Sequence, residues 1–454
     1  MTLREFARKL SPEQYEQNFA EITPPMSSRQ AAIEAARCLY CFDAPCTAAC
    51  PTHIDVPAFI KKISTNNLRG SARVILEANI LGHSCGRVCP TEVLCEGACV
   101  MEEKGAKPIE IGRLQRYAVD YVLDRKIQLF RAGAPNGRRV ACVGAGPASL
   151  ACATDLAKLG YHATIFDRNE TAGGLNTYGI AAYKLRAKDS AREVEMVRAL
   201  GVKFKQKIDV GRDIAFAQIE KDFDAIFIGV GLGETGDLEL PGENLSGVSG
   251  AIEFIAATKV RSFGEVEVGR RIACIGAGNT AIDVVTAAKR LGAELVHLIY
   301  RRGEEDMPAF RYEYELAKLD CVVFHWNTQP VRILGDAGKV SGIECVRTRV
   351  EGAGGRGRSK ITLIPGSNFN LEVDMVVRAI GQRPVTEIFR AVPGIELRAN
   401  ETILVNDHQQ TGNPQYFSGG DCANGGKEVV DAVAEGMAAA RGIDAWLGAP
   451  RGKS

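Results

Sequence analysis

The chain has 454 residues, enough for two to four domains, and its 46% apolar and 24% charged content is that of an ordinary globular protein. Its 56 Lys and Arg nearly cancel its 55 Asp and Glu, which excludes the basic field of a nucleic-acid binder. No run of eighteen apolar residues is present and the opening MTLREFARKL is charged, so neither a membrane span nor a secretory signal is expected; a reducing cytoplasm, where thiols stay free to bind metal, is.

Residues 1–37 read as largely helical, and the stretch Ala31 to Arg37 leads straight into Cys38. Eight of the fourteen cysteines then fall between Cys38 and Cys99, in two runs. The first is Cys38-x2-Cys41-x4-Cys46-x3-Cys50-Pro51. The second is Cys85-x3-Cys89-x5-Cys95-x3-Cys99, with Pro90 after Cys89. Three close thiolates clasp one iron–sulfur cube, and a cysteine turned away by the following proline reaches a neighbouring one, so two runs point to two [4Fe–4S] clusters. Disulfides suit a secreted chain, and zinc sites usually pair two CxxC units across a longer spacer; neither pattern fits as well. Eight cysteines fill two cubes without help. Between the runs, 56–60 and 72–76 read as short buried helices that keep water from the cubes. Residues 106–130 continue as a helix with Ile111, Leu114, Tyr117, Ala118, Tyr121 and Val122 on one side, and Ala134-Pro135-Asn136-Gly137 ends the domain.

From Arg139 the pattern is a short apolar strand, the turn Gly144-Ala145-Gly146-Pro147-Ala148-Ser149, a helix to Leu159, and a second strand ending at Asp167. This is a βαβ dinucleotide fingerprint. Gly144 permits the tight turn, Gly146 lets backbone N–H groups approach a pyrophosphate, and Asp167 can accept ribose hydroxyls. A second glycine turn, Gly173-Gly174-Leu175, follows. A buried strand ends at Gly229 to Gly231. Far downstream, Tyr416 to Asp421 reads as another strand with an acid at its tip, followed by a helix from Glu428 to about Leu447. That distant pair has no partner nearby in sequence, so the chain is expected to return to its first nucleotide domain.

Between these parts lies a second βαβ unit, with Gly276-Ala277-Gly278-Asn279-Thr280 at its turn. Its second strand ends in Arg301 and Arg302 instead of a carboxylate, a pair suited to a 2′-phosphate and hence to NADPH over NADH. The run 352–358 reads as a surface hairpin, since no helix follows it. The fold class is α/β: an N-terminal α-helical iron–sulfur domain (1–135), then two Rossmann-like dinucleotide-binding domains, the second (259–376) inserted in the first (136–258 and 377–454). A disulfide reductase would need a redox dithiol beside the flavin, and Cys142 and Cys152 lack CxxC spacing.

The two units resemble the two-dinucleotide-binding-domain flavoprotein plan. That resemblance implies FAD at Gly144, Gly146, Pro147, Ala148, Asp167, Gly174, Leu175, Gly420, Asp421, Val429 and Val430. It implies NAD(P)H at Gly276, Gly278, Asn279, Thr280, Arg301 and Arg302. Over essentially the whole chain the order of parts resembles the electron-input module shared by dihydropyrimidine dehydrogenase and the small subunit of glutamate synthase. The wording of residues 38–57 and of Ile111-Gly112-Arg113-Leu114-Gln115 is more similar to the first. The resemblance implies Cys38, Cys41, Cys46 and Cys99 as ligands of one [4Fe–4S] cluster and Cys50, Cys89, Cys95 and Gln115 of the other, leaving Cys85 aside. It further implies an NAD(P)-dependent oxidoreductase of pyrimidine degradation with no catalytic side chain of its own, since hydride passes between cofactors. Electrons would leave through FAD and the clusters to a separate FMN-containing subunit, in a hetero-oligomer, that reduces uracil and thymine to 5,6-dihydropyrimidines. The alternative partner is the large amidotransferase subunit of glutamate synthase.

Overall fold

The computed structural model describes residues 9–351, 360–390 and 392–448. Its cysteine-rich part is helical because local signals and apolar spacing agree. Asp55 caps helix Val56–Ser64 by accepting Ala58 N–H, and Asn67 caps helix Leu68–Ala78 by accepting Gly70 N–H. Their buried faces, with Phe59, Ile60, Ile75 and Leu76, close one core with Leu114, Ala118 and Val122 of helix Ile111–Asp124. Each such side chain contributes roughly 1.5–3 kcal/mol by leaving water. The helix expected over 106–130 is shorter than its apolar spacing suggests. Pro108 lacks an N–H, and the carbonyls of Lys107 and Pro108 accept Arg37 instead of feeding a helix.

Two parallel five-stranded sheets follow. Strands β1 (Arg139–Val143), β2 (His162–Asp167), β3 (Lys203–Gln206) and β4 (Ala225–Ile228) form the first, and β14 (Tyr416–Ser418) completes it in the order β14-β4-β1-β2-β3. Tyr416 pairs with Ile226 and Ser418 with Ile228, so the chain does return to its first nucleotide domain after about two hundred residues. The second sheet takes β5 (Val248–Gly250), β6 (Arg271–Ile275), β7 (Leu295–Ile299), β8 (Val323–His325) and β13 (Met375–Arg378) in the order β5-β13-β6-β7-β8. Strands β9 (Thr328–Asp336), β10 (Lys339–Glu351), β11 (Lys360–Leu363) and β12 (Phe369–Leu371) make an antiparallel sheet. Glu351 pairs with Lys360, and the hairpin expected at 352–358 lies outside the described residues. No helix among the described residues is long and apolar enough to cross a membrane.

The chain divides into two compact units, and the divisions differ from those read in the sequence. One unit holds Ile22–Thr177, Lys184–Leu232 and the chain from Pro384, joining the cysteine domain to the first sheet. The other holds Gly233–Arg383, Tyr178–Tyr183 and the chain up to Glu21. The segment up to Glu21 therefore does not belong with the cysteine domain: Phe19 stacks on Phe263 at 4.0 Å and Asn18 donates to the Arg290 carbonyl. The inserted domain starts before 259 because β5 pairs with β13 and helix Ala251–Val260 follows it. It ends after 376 because β13 runs to Arg378 and Arg383 N–H bonds the Glu234 carbonyl. A three-residue strand carries too little periodicity to mark that boundary in sequence.

Within the first unit the cysteine domain and the flavin-type domain share their cores. Ile80 and Leu81 pack among β1, β2 and helix Pro147–Lys158, while Val430 packs among Phe59, Ile75 and Leu114.

Candidate functional site

All fourteen cysteines are free thiols. Cys38, Cys41, Cys46 and Cys99 line one cavity, walled by Val56, Ile60, Ile109 and Ile111. Sequence spacing alone joins only the first three. Cys99 arrives from the end of the second run, at the start of helix Val100–Glu103. Burial pushes the Cys46 thiol up to about 11, with Cys38 and Cys99 adding to the rise.

Cys50, Cys85, Cys89 and Cys95 form a second neighbourhood. Burial raises the thiols of Cys85, Cys89 and Cys95 well above their usual range, and the charge of Cys50 adds to each. Gln115 is buried, and its amide nitrogen donates to the Gly82 carbonyl at 2.8 Å. Helices Gly82–Val88 and Ile111–Asp124 approach closely enough to hold it there, a Cβ on Gly86 standing 3.0 Å from Arg116 N. Cys85 Sγ accepts a hydrogen bond from Asn79 Nδ2 at 3.2 Å. Thiols that raise one another are costly to ionise together, and a bound iron–sulfur cluster would supply the positive charge that makes them thiolates. Among the described residues, no three His, Cys, Asp or Glu side chains are placed to hold a single metal ion.

The residues expected for FAD converge. Gly144 has φ +93°, and a Cβ there would overlap the Gly229 carbonyl, so only glycine makes this turn. Helix Pro147–Lys158 begins at Gly146 with no side-chain cap, leaving its first N–H groups for a phosphate. Gly173 N–H bonds the Ala145 carbonyl, and a Cβ on Gly174 would stand 2.7 Å from Gly146 Cα, so the two glycine turns meet backbone to backbone. Leu175 opens the short helix behind them. From the far end of the chain, Gly420 comes against Ala148. Burial raises the Asp421 carboxyl, and Asp421 Oδ1 accepts Lys427 N–H at 3.3 Å. Asp167 takes Ala145 N–H at 2.6 Å and Asn169 N–H at 2.7 Å, which fixes its carboxylate against the glycine turn; burial raises its pKa.

Val429 and Val430 begin helix Val429–Gly448. Val430 is 2% exposed in the cysteine-domain core, and Val429 packs against that core and the flavin-domain core alike. Just before them, burial raises Glu428, whose charge is felt at Cys85 and Cys89. The sequence reading passed over Lys184, which is 8% exposed and offsets part of the rise at Glu428. Its signal was a lone cation inside the apolar run Ala181 to Leu185.

In the other unit the same turn recurs. Gly276 has φ +128° and a Cβ would overlap the Ala379 carbonyl. Helix Asn279–Arg290 starts at Gly278 without a side-chain cap, and a Cβ on Gly278 would meet open space. Asn279 Oδ1 accepts Phe310 N–H, and Thr280 is half-buried beside it. Gly276 N–H bonds the Ile299 carbonyl, which brings Arg301 and Arg302 beside the turn. Neither guanidinium forms an ion pair among the described residues, and Arg302 Nε is buried without a partner.

Known proteins share this arrangement. Residues 15–127 match the family model described as dihydropyrimidine dehydrogenase domain II, 4Fe-4S cluster, and residues 138–436 match pyridine nucleotide-disulphide oxidoreductase. The glutamate synthase [NADPH] small chain of Escherichia coli is 37% identical over 445 residues, 94% of either chain. The chain belongs to the glutamate synthase small-chain family of flavoproteins. The same family includes the NAD-dependent dihydropyrimidine dehydrogenase subunit PreT of Salmonella typhimurium, 33% identical over 95% of this chain and 98% of that one. The fold is also that of Mycobacterium tuberculosis FprA in complex with NADPH, at TM-score 0.57 and 20% identity over 68% of this chain and 84% of that one. As a family member, the chain is an NAD(P)-dependent oxidoreductase with a flavin domain and an iron–sulfur domain.

Proposed function

We propose that this chain is the electron-input subunit of a hetero-oligomer and holds two [4Fe–4S] clusters in series. The observation that carries this reading is the position of Val429 and Val430. Val430 packs in one core with Cys50, Cys85 and Cys99, and Val429 packs both against that core and against the core of the flavin-type domain. FAD, when bound, would supply two-electron acceptance from NAD(P)H, and the clusters would supply one-electron transfer onward. The chain's own work is to hold these groups. Gly144, Gly146, Pro147, Ala148, Asp167, Gly174, Leu175, Gly420 and Asp421 seat the flavin nucleotide. Gly276, Gly278, Asn279, Thr280, Arg301 and Arg302 seat the nicotinamide nucleotide.

Cys38, Cys41, Cys46 and Cys99 hold one cluster; Cys50, Cys89, Cys95 and Gln115 hold the other. The rival for the fourth place is Cys85, favoured by its nearness in charge to Cys50 and Cys89. Gln115→Leu is expected to change the EPR spectrum of one cluster and Cys85→Ser to leave both in place. An unchanged spectrum in the first, with loss of a cluster in the second, reverses the assignment.

The acceptor we assign is an FMN-bearing subunit that reduces uracil and thymine. This rests on residues 38–57 and 111–115 and on the likeness to PreT. A second reading, delivery to a large amidotransferase subunit, is favoured by the 37% identity to the glutamate synthase small chain. Anaerobic pull-down from native extract, with flavin and metal analysis, separates them by the partner recovered. The purified chain should reduce dyes with NAD(P)H and leave uracil untouched; uracil turnover without a partner contradicts the split arrangement.

The unpaired arginines favour NADPH. Replacing Arg301 and Arg302 with alanine is expected to lower kcat/KM for NADPH at least about tenfold while NADH changes by less than about twofold. Equal effects on the two cofactors would remove the arginines from cofactor selection.

A further inference from the structure

Glu193 lies on helix Ala187–Arg198 of the flavin-type domain, yet its carboxylate ends inside the cysteine domain. It is 1% exposed. Ser84 N–H donates to Oε1 at 2.8 Å and Ser84 Oγ donates to Oε2. Ser84 adjoins Cys85, and the Glu193 charge is felt at that sulfur. Cys85 in turn shares its surroundings with Cys50 and Cys89.

A tether between two domains does not require a charge. Burying an ionised carboxylate without an ion-pair partner is strongly unfavourable, and a neutral amide could bond Ser84 at far lower cost. Arg87 lies near enough to ease the charge, while its guanidinium is bonded to Asp120 at 3.1 Å, beside His83 and Arg116 on the same carboxylate. Asp189, one turn earlier on the helix, adds no positive charge. What such a group does supply is a fixed negative field, and net charge near a cluster is one of the levers on its potential.

We propose that Glu193 is a positioning residue for electron transfer: it locks the 83–85 segment to the flavin-type domain, and its charge lowers the potential of the cluster held by Cys50, Cys89 and Cys95. This rests on the two-cluster reading above. Burial pushes the carboxyl up to about 7, so its charge is fuller above neutrality.

The test is an anaerobic, EPR-monitored redox titration of the full chain at pH about 8.5, comparing wild type with Glu193→Gln and Glu193→Asp. In Glu193→Gln the midpoint of one cluster should move up and that of the other should hold. In Glu193→Asp, which keeps the charge but draws it back by one methylene, the same midpoint should move up by less. A purely structural role would disturb both clusters together. Unmoved midpoints in Glu193→Gln at full iron content overturn the proposal. Should that variant fail to retain its clusters, Glu193→Asp decides alone, a rise supporting the proposal and an unchanged midpoint refuting it. Absence of two cluster signals in the wild type would instead count against the two-cluster reading.

Discussion

Replacing Cys46 with serine is expected to cut electron delivery to the partner subunit at least about 100-fold, roughly 3 kcal/mol in activation free energy, while NAD(P)H-dependent ferricyanide reduction at the flavin persists. Cys46 lines the same cavity as Cys38, Cys41 and Cys99, and no other cysteine among those lining it can take its place. Val430 shares its core with Cys50 and Cys85, and the charge of Glu428 is felt at Cys85 and Cys89, whereas Cys46 lies in the cavity shared with Cys38 and Cys41. The loss should therefore fall after flavin reduction. Stopped-flow absorbance separates the steps: flavin bleaching by NAD(P)H at the wild-type rate, with reoxidation by the partner slowed. Equal slowing of both steps would place Cys46 in the support of the flavin domain instead.

The second large effect concerns the way the split flavin domain closes. Helix Val429–Gly448 crosses helix Pro147–Lys158 at Gly436, where a Cβ would overlap the Ala148 carbonyl oxygen. Both partners at this contact are backbone, so neither can turn aside. Gly436→Val is expected to destabilise the domain by at least about 3 kcal/mol, at the upper end of overpacking. Because Ala148 also touches Gly420, the phosphate turn should open with it, and FAD should be lost on gel filtration. Gly448→Ala, with nothing within 4 Å, is the control and should change stability by less than about 0.5 kcal/mol. Thermal unfolding followed by flavin fluorescence measures both; a Gly436→Val protein that melts with the control and keeps its flavin would show that the crossing tolerates bulk.

Much of this architecture could be read from residues because local and distant signals coincide. The two glycine turns announce themselves by strand, turn and helix in one stretch, and the structure gives Gly144 and Gly276 the same left-handed conformation. The return of Tyr416–Ser418 to the first sheet could be inferred because a buried strand cannot stand unpaired. What escaped the sequence depends on contacts without a period. The insertion boundary moved because β5 has three residues and is recognised only by its pairing with β13. The segment before Glu21 lies apart from the cysteine domain because Phe19 and Tyr15 meet Phe263 and Asn18 bonds the Arg290 carbonyl. Lys184 and Glu193 were missed because a charged residue on a helix or loop reads as solvated until its burial is seen. For the fourth ligand of the second cluster, residue counting favours Cys85. The structure shows Asn79 on Cys85 and Gly82 on the Gln115 amide nitrogen.

The central claim is that two sets of free thiols, one around Cys46 and one around Cys50, carry iron. Anaerobic purification of the full chain, followed by iron, acid-labile sulfide and flavin analysis, tests it most directly. The expected result is about eight iron and eight sulfide atoms with one FAD per chain. A flavin-containing protein free of iron and sulfide, or one with zinc in their place, would contradict it.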